Sequence, residues 1–459
     1  MRRRWLIIAL TAATVLSMLY FGSRTPVLRI AVFSGSNWDV PEADSYSLLD
    51  EAIAAFAETH PGVQIEYESG IPKDEYEEWT AQCILRDDLP DILFVPSEYF
   101  STLASTHALQ PLDDFARADA AFQEEAYYPA SLQTCRQDGT LYALPYLSVP
   151  ELIFVNKTLL QQEGIAIPDQ DWTWDDFLRI VEKVTKDTDG DGVVDQYGTC
   201  GFSWQQAAYS NGALFYDEQT DTASFSDVSM IEAITFLREL YGVCDQDQVS
   251  TQQFDEGQVA FQPMNYSDYR AYMPYPWRVK KFSGFEWECL PFPSGEQGVN
   301  ASAIDTLMVA MSARSTQKKL AWEFMRYLSG DAEHQKQAAI VSQGVSVLPS
   351  IMQDEEVNAA LQADIPGTSV FDMDVLDTVM RQGVSVRMTQ EREQIIQSAD
   401  GTLSALVHNQ QDIENEQVGK PGIQLFISLH SRLRGEHLIS SAPQHPTVDF
   451  QYLWLILDH

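Results

Sequence analysis

Cysteine is scarce in this chain, and no two cysteines have the C-x-x-C spacing. Without such pairs, the sequence indicates neither a zinc site nor a dense disulfide framework. The chain has five cysteines, and because this number is odd, at least one thiol has no disulfide partner within a monomer. The five are Cys83, Cys135, Cys200, Cys244 and Cys289.

Basic residues are also few, since 29 Lys and Arg stand against 67 Asp and Glu, giving a net charge of -38 at pH 7. A surface this negative repels phosphate backbones, so we exclude nucleic acid as a partner. The same repulsion argues against adsorption to anionic lipid.

The sequence motifs of common hydrolases are missing. There is no H-E-x-x-H, no G-x-S-x-G and no phosphate-cradling glycine loop. Residues 315–318 read S-x-x-K, but no S-D-N or K-T-G accompanies them. Because the chain has 67 carboxylates, a glycosidase-like pair of catalytic acids cannot be identified without the distance between them. We therefore predict a binding protein and no enzyme.

At the amino terminus, three arginines (2–4) precede an uncharged run over residues 5–21. This order is typical of an export signal whose basic end stays in the cytoplasm. Residues 18–21 offer no small side chains for cleavage, and the first cysteine available for lipidation is Cys83. We predict that residues 1–23 are an uncleaved membrane anchor, with a cleaved signal peptide as the alternative. In both cases the rest of the chain lies outside the cytoplasm.

Apolar spacing alternates between strand and helix along the exported part. Residues 27–33, 63–67 and 90–95 read as strands separated by helical patterns at 49–56 and 76–83. This order predicts an α/β layer with a largely parallel sheet. Helices at 174–184, 230–241 and 320–330 and a strand at 306–310 continue the alternation. Since 459 residues hold two or three domains' worth of core, we predict two α/β lobes that meet near residues 145–150.

Residues 418–459 differ from the rest in charge balance. Their acidic and basic residues cancel, and they hold four of the eight histidines. The histidine spacing matches no metal-ligand motif, so we predict a loosely ordered tail.

Six groups of motifs occur in a recognisable order between residues 28 and 350. They are Ala54-Ala55-Phe56 through His60-Pro61-Gly62-Val63; Leu89-Pro90-Asp91-Ile92-Leu93-Phe94-Val95 with Leu109-Gln110-Pro111-Leu112-Asp113; Leu141-Tyr142-Ala143-Leu144-Pro145-Tyr146 through Phe154-Val155-Asn156-Lys157; Gly164-Ile165, Pro168 and Trp172-Thr173-Trp174-Asp175-Asp176-Phe177; Phe254-x-x-Gly257-x-Val259-Ala260-Phe261; and Leu320-Ala321-Trp322-Glu323-Phe324. Together they resemble the extracellular solute-binding proteins of ABC importers, in the group that binds sugars and oligosaccharides.

The resemblance implies a two-lobed α/β fold of the periplasmic-binding-protein type, with crossing hinge segments and a cleft between the lobes that closes over a ligand. The first lobe would comprise 28–147 and 301–345, and the second 152–297 and 350–417. The chain would cross near 147–152, 297–304 and 345–350. A monomer that delivers a sugar or oligosaccharide to ABC permease subunits is implied. An exported carbohydrate-active hydrolase and a ligand-binding partner of a sensor kinase are the alternatives.

A sugar site needs aromatic platforms together with carboxylate and amide side chains that bond hydroxyls. Glu98 follows the strand at 90–95, where the family often places an acidic sugar ligand, and Trp38 and Asn37 follow the first strand. Trp172 and Trp174 begin a helix and are interpreted as packing. The other candidate ligand-binding residues are Tyr146, Trp204, Asn211, Tyr266, Tyr269 and Asp305.

Residues 187–195 match the first nine positions of an EF-hand-type loop. Asp187, Asp189, Asp191 and Asp195 are the candidate calcium ligands. The twelfth position is Gly198 where a bidentate Glu is expected, so the sequence favours a tight Asx-rich turn and keeps calcium as the alternative. No other cofactor is predicted.

Overall fold

The computed structural model describes residues 26–40, 46–217, 222–225, 227–271, 284–363, 371–387 and 389–408. The predicted anchor (1–23) and the predicted tail (418–459) lie outside these residues. Among the helices that the structure describes, none is both long and apolar enough to span a bilayer.

The described strands are β1 (Val27–Ala31), β2 (Gln64–Tyr67), β3 (Ile92–Val95), β4 (Arg136–Gln137), β5 (Thr140–Leu141), β6 (Ala143–Asn156), β7 (Tyr197–Thr199), β8 (Tyr216–Asp217), β9 (Thr222–Ala223), β10 (Val259–Asn265), β11 (Trp287–Leu290), β12 (Ala303–Met311), β13 (Val345–Ser346) and β14 (Val384–Ser385). Ten of them form one sheet in the order β2-β1-β3-β12-β6-β10-β7, with β11 and β13 paired to β6 and β14 paired to β12.

The described α-helices are α1 (Ser47–Thr59), α2 (Lys73–Leu85), α3 (Ser97–Ser105), α4 (Asp113–Ala118), α5 (Pro129–Thr134), α6 (Lys157–Gln162), α7 (Trp174–Val184), α8 (Trp204–Ser210), α9 (Val228–Val243), α10 (Thr251–Asp255), α11 (Tyr266–Ala271), α12 (Lys318–Gly330), α13 (Ala332–Val341), α14 (Pro349–Met352), α15 (Glu355–Ala363), α16 (Met373–Gln382) and α17 (Gln390–His408).

The amino-terminal layer has the predicted strand and helix order. β1 pairs in parallel with β2 and with β3, and α1 and α2 form the crossovers. α1 buries Leu49, Ala52 and Phe56, which recur at helical spacing and cover one face of the sheet. All four residues of β3 are buried, as expected for a strand covered on both faces.

The long strand β6 joins the two parts of the sheet. Its residues 143–150 pair with β12, and its residues 151–155 pair with β10, all in antiparallel register. β12 is also antiparallel to β3, so the sheet is mixed beyond its first three strands. The crossing strands run in opposite directions because the chain passes from one lobe to the other along β6 and returns along β12.

The described residues form two hydrophobic cores, as a two-lobed α/β protein requires. The larger contains Leu28, Phe94 and Met308, and the smaller contains Phe177 and Phe236. The tryptophans at the start of α7 pack as expected: Trp172 donates its indole N–H to the carbonyl oxygen of Pro291 at 2.9 Å, and Trp174 stacks on Phe236 at 4.3 Å between ring centroids.

Residues 350–417, expected in the second lobe, divide between the two cores where they are described. Ile351 and Leu376 pack in the larger core, whereas Ile395 and Leu403 of α17 pack in the smaller one. The larger core also takes in Tyr269 and residues near it in sequence, so core membership alone does not divide the lobes. The proposed lobe boundaries stay a prediction.

All five cysteines are buried free thiols. Burial raises the pKa of the Cys135 and Cys289 thiols, which keeps both in the unreactive protonated form.

Candidate functional site

The loops after β1 and β3 meet around the ammonium group of Lys73. Its Nζ lies 2.5 Å from the main-chain oxygen of Asn37, 3.1 Å from Asp39 Oδ1 and 3.5 Å from Glu98 Oε1. Parallel strands present their carboxyl ends at one edge of a sheet, which brings these loops together. We define the Lys73 cluster as Asn37, Trp38, Lys73, Glu98 and Asp305.

The carboxylates of this cluster are held in a partly dehydrated setting. Burial raises the pKa of Glu98, although Lys73 opposes that shift. Burial also raises the pKa of Asp305, against the opposing effects of the Ser97 hydroxyl, the main-chain N–H of Thr306, Lys73 and the Trp38 indole. The Thr306 N–H donates to Asp305 Oδ1 at 2.9 Å. These carboxylates can accept hydroxyl hydrogens from a neutral ligand.

Trp38 and Asn37 supply the remaining polar and aromatic surface of the cluster. Trp38 is half-buried and lies against Gly344, where an added Cβ would sit 2.9 Å from Trp38 Cη2. Asn37 is 6% exposed, and its amide bonds to none of the described residues. A buried amide without partners is uncommon, which marks this loop as a place where a ligand can bond.

A second polar site lies beside the crossing strands. It is an open cavity of about 370 Å³, called here the Glu151 pocket. Its lining comes from β6, β10 and the starts of α8, α10 and α11. The lining residues are Glu151, Gln206, Thr251, Gln262, Pro263, Met264, Asn265 and Asp268.

Glu151 is oriented by Gln206, which donates from Nε2 to Glu151 Oε1 at 3.1 Å. Gln206 itself is fixed by the capping box of α8, where its Oε1 accepts from the main-chain N–H of Ser203 at 2.8 Å. Burial, with a further contribution from the Asp268 charge, raises the pKa of Glu151 to about 7. The carboxyl therefore changes its protonation near neutral pH.

The Lys73 cluster and the Glu151 pocket share one face of the crossing strands. Asp305 is paired with Val149, and Asn265 is paired with Glu151. Directly opposed residues project to the same face, as do alternate residues of one strand. Asp305 and Glu151 are therefore on the same side, displaced by about 7 Å along β6. A ligand of one or more sugar rings is long enough to touch both.

Several other predicted aromatic ligands are placed within the cores. Tyr146 is 4% exposed and packs edge-on against Phe94. Trp204 packs against Phe215 and donates its indole N–H to Asp400 Oδ1 at 2.7 Å. These contacts account for both side chains as packing.

Tyr266 and Tyr269 are also buried, and both pack against Phe371. The amide of Asn211 is fully used: Nδ2 donates to Ser229 O and Glu232 Oε2, both at 2.8 Å, and Oδ1 accepts from Gln297 N at 3.0 Å. Asn211 thus ties three chain segments together. The structure brings Asn37, Trp38, Glu98 and Asp305 to one place and leaves the other five elsewhere.

The Asp-rich loop folds as a hydrogen-bonded turn. Asp187 accepts the main-chain N–H of Gly190 at 2.6 Å and of Gly192 at 2.7 Å, and these bonds lower its pKa. Asp195 accepts from Thr188 N at 2.9 Å. Carboxylate oxygens of Asp187, Asp189 and Asp195 lie within 4.8 Å of one another, and Asp191 caps Val193 N.

Sequence reasoning missed Lys73 and the whole Glu151 pocket. Glu151 had a usable signal, because it is the one charged residue between Leu141 and Asn156. A lone acid in an apolar strand is costly unless the strand opens onto a polar site. Lys73 and Gln206 lie in ordinary helical first turns and had no comparable signal.

Sequence comparison finds relatives among the binding proteins of ABC transporters. A maltotriose-binding protein from Pyrococcus abyssi is 21% identical over 65% of this chain and 62% of its own length. An uncharacterised ABC transporter extracellular-binding protein from Pyrococcus horikoshii is 24% identical over 32% of this chain. The chain spans 33% of that protein and 62% of a probable ABC transporter-binding protein from Deinococcus radiodurans.

Solved structures show the same fold. The sugar-binding protein MalE from Xanthomonas citri superposes with a TM-score of 0.69 at 17% identity, covering 94% of this chain and all of that one. UspC from M. tuberculosis has a TM-score of 0.69 at 16% identity, covering 90% of this chain and all of its own. The two-lobed α/β fold is thereby confirmed. The family model described as "Bacterial extracellular solute-binding protein" matches residues 40–335, well over half of the sequence, and the chain belongs to that family.

Proposed function

We propose that this chain binds a sugar or oligosaccharide between its lobes and delivers it to the permease subunits of an ABC importer. The observation that carries the proposal is the shared face of β6 and β12. Carboxylates from both sides of the crossing, Asp305 and Glu151, project there beside a half-buried tryptophan.

Each half of this face suits part of a sugar. Glu98 and Asp305 are acceptors for ring hydroxyls, and the Lys73 ammonium is a donor close to both. Trp38 offers an aromatic surface for the C–H face of a ring. On the other side, Glu151 and Gln206 form a second polar group held in a fixed orientation. Asn37 is proposed as an additional ligand because its buried amide bonds to none of the described residues.

Ligand binding would shift the lobes toward a closed form, because only a closed cleft lets one ligand bond to both halves. We further propose that the protein acts outside the cytoplasm, held there by residues 1–23, and that it works as a monomer. The maltotriose-binding relative and the structural similarity to MalE support a sugar as the ligand.

A thermal-shift screen against neutral monosaccharides and oligosaccharides tests the proposal, because a ligand that binds only the native state raises Tm. Chromatography of the recovered sugar should show it unchanged. Glu98→Gln should reduce the Tm shift, and Glu58→Gln, at an exposed position of α1, should not. The proposal fails if no sugar raises Tm, if the sugar is cleaved, or if Glu98→Gln binds as well as the wild type.

A further inference from the structure

The two halves of the proposed cleft differ in how their negative charge is balanced. In the Lys73 cluster, one ammonium group lies within 3.5 Å of Glu98 and also stabilises the charged form of Asp305. Among the described residues, the Glu151 pocket is lined by the carboxylates of Glu151 and Asp268 and by no Lys, Arg or His. Arg270, close to it in sequence, donates to the main-chain oxygens of Ile340 and Ser342.

Among the described residues, Glu151 contacts no cation. Its hydrogen bond comes from the neutral amide of Gln206. The charged group that contributes to its pKa is Asp268, which carries the same sign of charge. Burying a carboxylate without a cation is unfavourable. The charged form of Glu151 therefore lacks a cationic partner among the described residues.

A second side chain of the pocket points to the same kind of ligand. Gln262 lines the cavity and is 5% exposed. Its Oε1 accepts a hydrogen bond from none of the described residues, although buried polar atoms are usually paired. When Glu151 is charged, its carboxylate and the Gln262 oxygen are both acceptors, so a donor group on the ligand would complete the pocket.

We infer that the Glu151 pocket binds the protonated amino group of an aminated sugar or oligosaccharide, while the Lys73 cluster bonds the hydroxyls of the same ligand. The inference rests on the proposed function and narrows its ligand class. An ammonium group supplies both a positive charge for Glu151 and several N–H donors for neighbouring acceptors. A displacement of about 7 Å along β6 allows one amino sugar to reach both sites.

The matched ligands for a test are three β-1,4-linked trimers that differ only at C2. The glucosamine trimer has an ammonium group there, cellotriose has a hydroxyl, and the N-acetylglucosamine trimer has a neutral amide. Calorimetric titration at neutral pH and low ionic strength measures each Kd. We expect the glucosamine trimer to bind at least about tenfold more tightly than cellotriose, as a charge-assisted hydrogen bond implies.

Two isosteric variants locate the effect. Glu151→Gln keeps an oxygen that can accept from Gln206 but removes the charge, and it should abolish the preference for the amine. Glu182→Gln removes one charge from an exposed position of α7 in the same lobe and should keep the preference. A cooperative thermal transition with a Tm at or above that of the wild type would show that Glu151→Gln is folded.

The outcomes separate this inference from the proposed function. Equal or tighter binding of cellotriose by the wild type overturns the amine assignment and leaves sugar binding intact. A preference for the amine that persists in Glu151→Gln also overturns it, because the charge responsible then lies elsewhere. If none of these trimers and no neutral sugar binds, both proposals fail.

Discussion

The protonation of Glu151 allows a test that needs no ligand. In the native protein the pKa of this carboxyl is raised from its ordinary 4.5 to about 7, chiefly by burial and further by Asp268, while the Gln206 bond opposes the shift. The folded chain therefore holds the proton more tightly than the unfolded chain. It follows that the free energy of unfolding falls as pH rises from about 4.5 to about 7 and levels off above that.

The magnitude follows from the interval between the two pKa values. At about 1.4 kcal/mol for each pH unit, the interval corresponds to about 3 kcal/mol. Because Glu151 is half-buried beside an open cavity, water screens part of this effect, and we expect about 1–3 kcal/mol. The uncharged Glu151→Gln variant lacks the penalty. It should match the wild type at about pH 4.5 and exceed it in stability above about pH 7.

Differential scanning calorimetry at about pH 5 and about pH 8 provides the measurement. The Tm advantage of Glu151→Gln over the wild type should be several degrees at the higher pH and small at the lower one. Carboxyls common to both proteins, such as Glu98 and Asp305, cancel in this comparison. Glu182→Gln serves as the control, since its side chain is exposed. A Glu151→Gln advantage that is the same at both pH values would refute the assignment of the proton to Glu151.

Three further predictions concern the cluster, the hinge and the Asp-rich loop. Trp38→Ala should weaken sugar binding by about tenfold with little change in Tm. Trp204→Phe, which loses the hydrogen bond to Asp400, should lower stability by about 1–3 kcal/mol and keep the affinity. The reverse pattern would contradict the assignment of Trp38 to the ligand site and of Trp204 to the core. Gly344→Ala adds a Cβ 2.9 Å from Trp38 Cη2 and 3.1 Å from Leu147 Cβ, so sugar affinity should fall and stability should fall by about 1–3 kcal/mol. The control Gly284→Ala, with no atom within 4 Å of the added Cβ, should be nearly neutral. Wild-type affinity in Gly344→Ala would show that sugar binding does not depend on the position of Trp38 against Gly344. We propose weak calcium binding by Asp187, Asp189 and Asp195, so millimolar Ca²⁺ should raise Tm. Asp189→Asn, which can still accept a hydrogen bond from Asp191 N, should reduce this rise. An equal Tm with Ca²⁺ and with EDTA would refute calcium binding and assign the loop as a hydrogen-bonded turn alone.

The strand and helix order of the amino-terminal layer could be predicted from the sequence. A helix that is buried on one side, such as α1, has apolar residues at regular helical spacing, and this spacing is visible in the sequence. β6 was harder to predict. The sequence interpretation placed the meeting of the two lobes near residues 145–150 and assigned no strand there. The structure has one continuous strand through Pro145 and Pro150. Pro145 lies where the register with β12 shifts at Leu307 and Met308, and Pro150 lies where pairing passes from β12 to β10. Prolines are tolerated at such irregularities.

The predicted site residues that follow strand ends and the predicted aromatic residues have different places in the structure. Asn37, Trp38 and Glu98 follow the carboxyl ends of strands, where an α/β sheet exposes its loops to a cleft, and the structure gathers them. Tyr266 and Tyr269 were predicted from their location after the motif at residues 254–261, but large aromatic side chains stabilise a core as readily as they bind a ligand. Glu151 projects from the middle of a strand rather than from a loop that follows a strand end, so its position in the sequence did not indicate a cleft. Only the pairing with β10 and β12 shows that its face is open.

The unequal charge balance of the two cleft halves gives a physical reason why closure would depend on ligand. Lys73 lies 3.5 Å from Glu98, so closing that half would not leave the Glu98 charge without a cation. None of the described cations contacts Glu151, whose hydrogen bond comes from the neutral Gln206 amide, so its charged form would be stabilised by solvent water in the open cavity. Closing an empty cleft would remove that water and raise the free energy of the charged carboxyl. A ligand ammonium would take the place of the water, and the ligand would then have the higher affinity for the closed form that a population shift requires. We therefore expect the empty protein to stay open, and a neutral sugar to close the cleft less completely than its aminated counterpart.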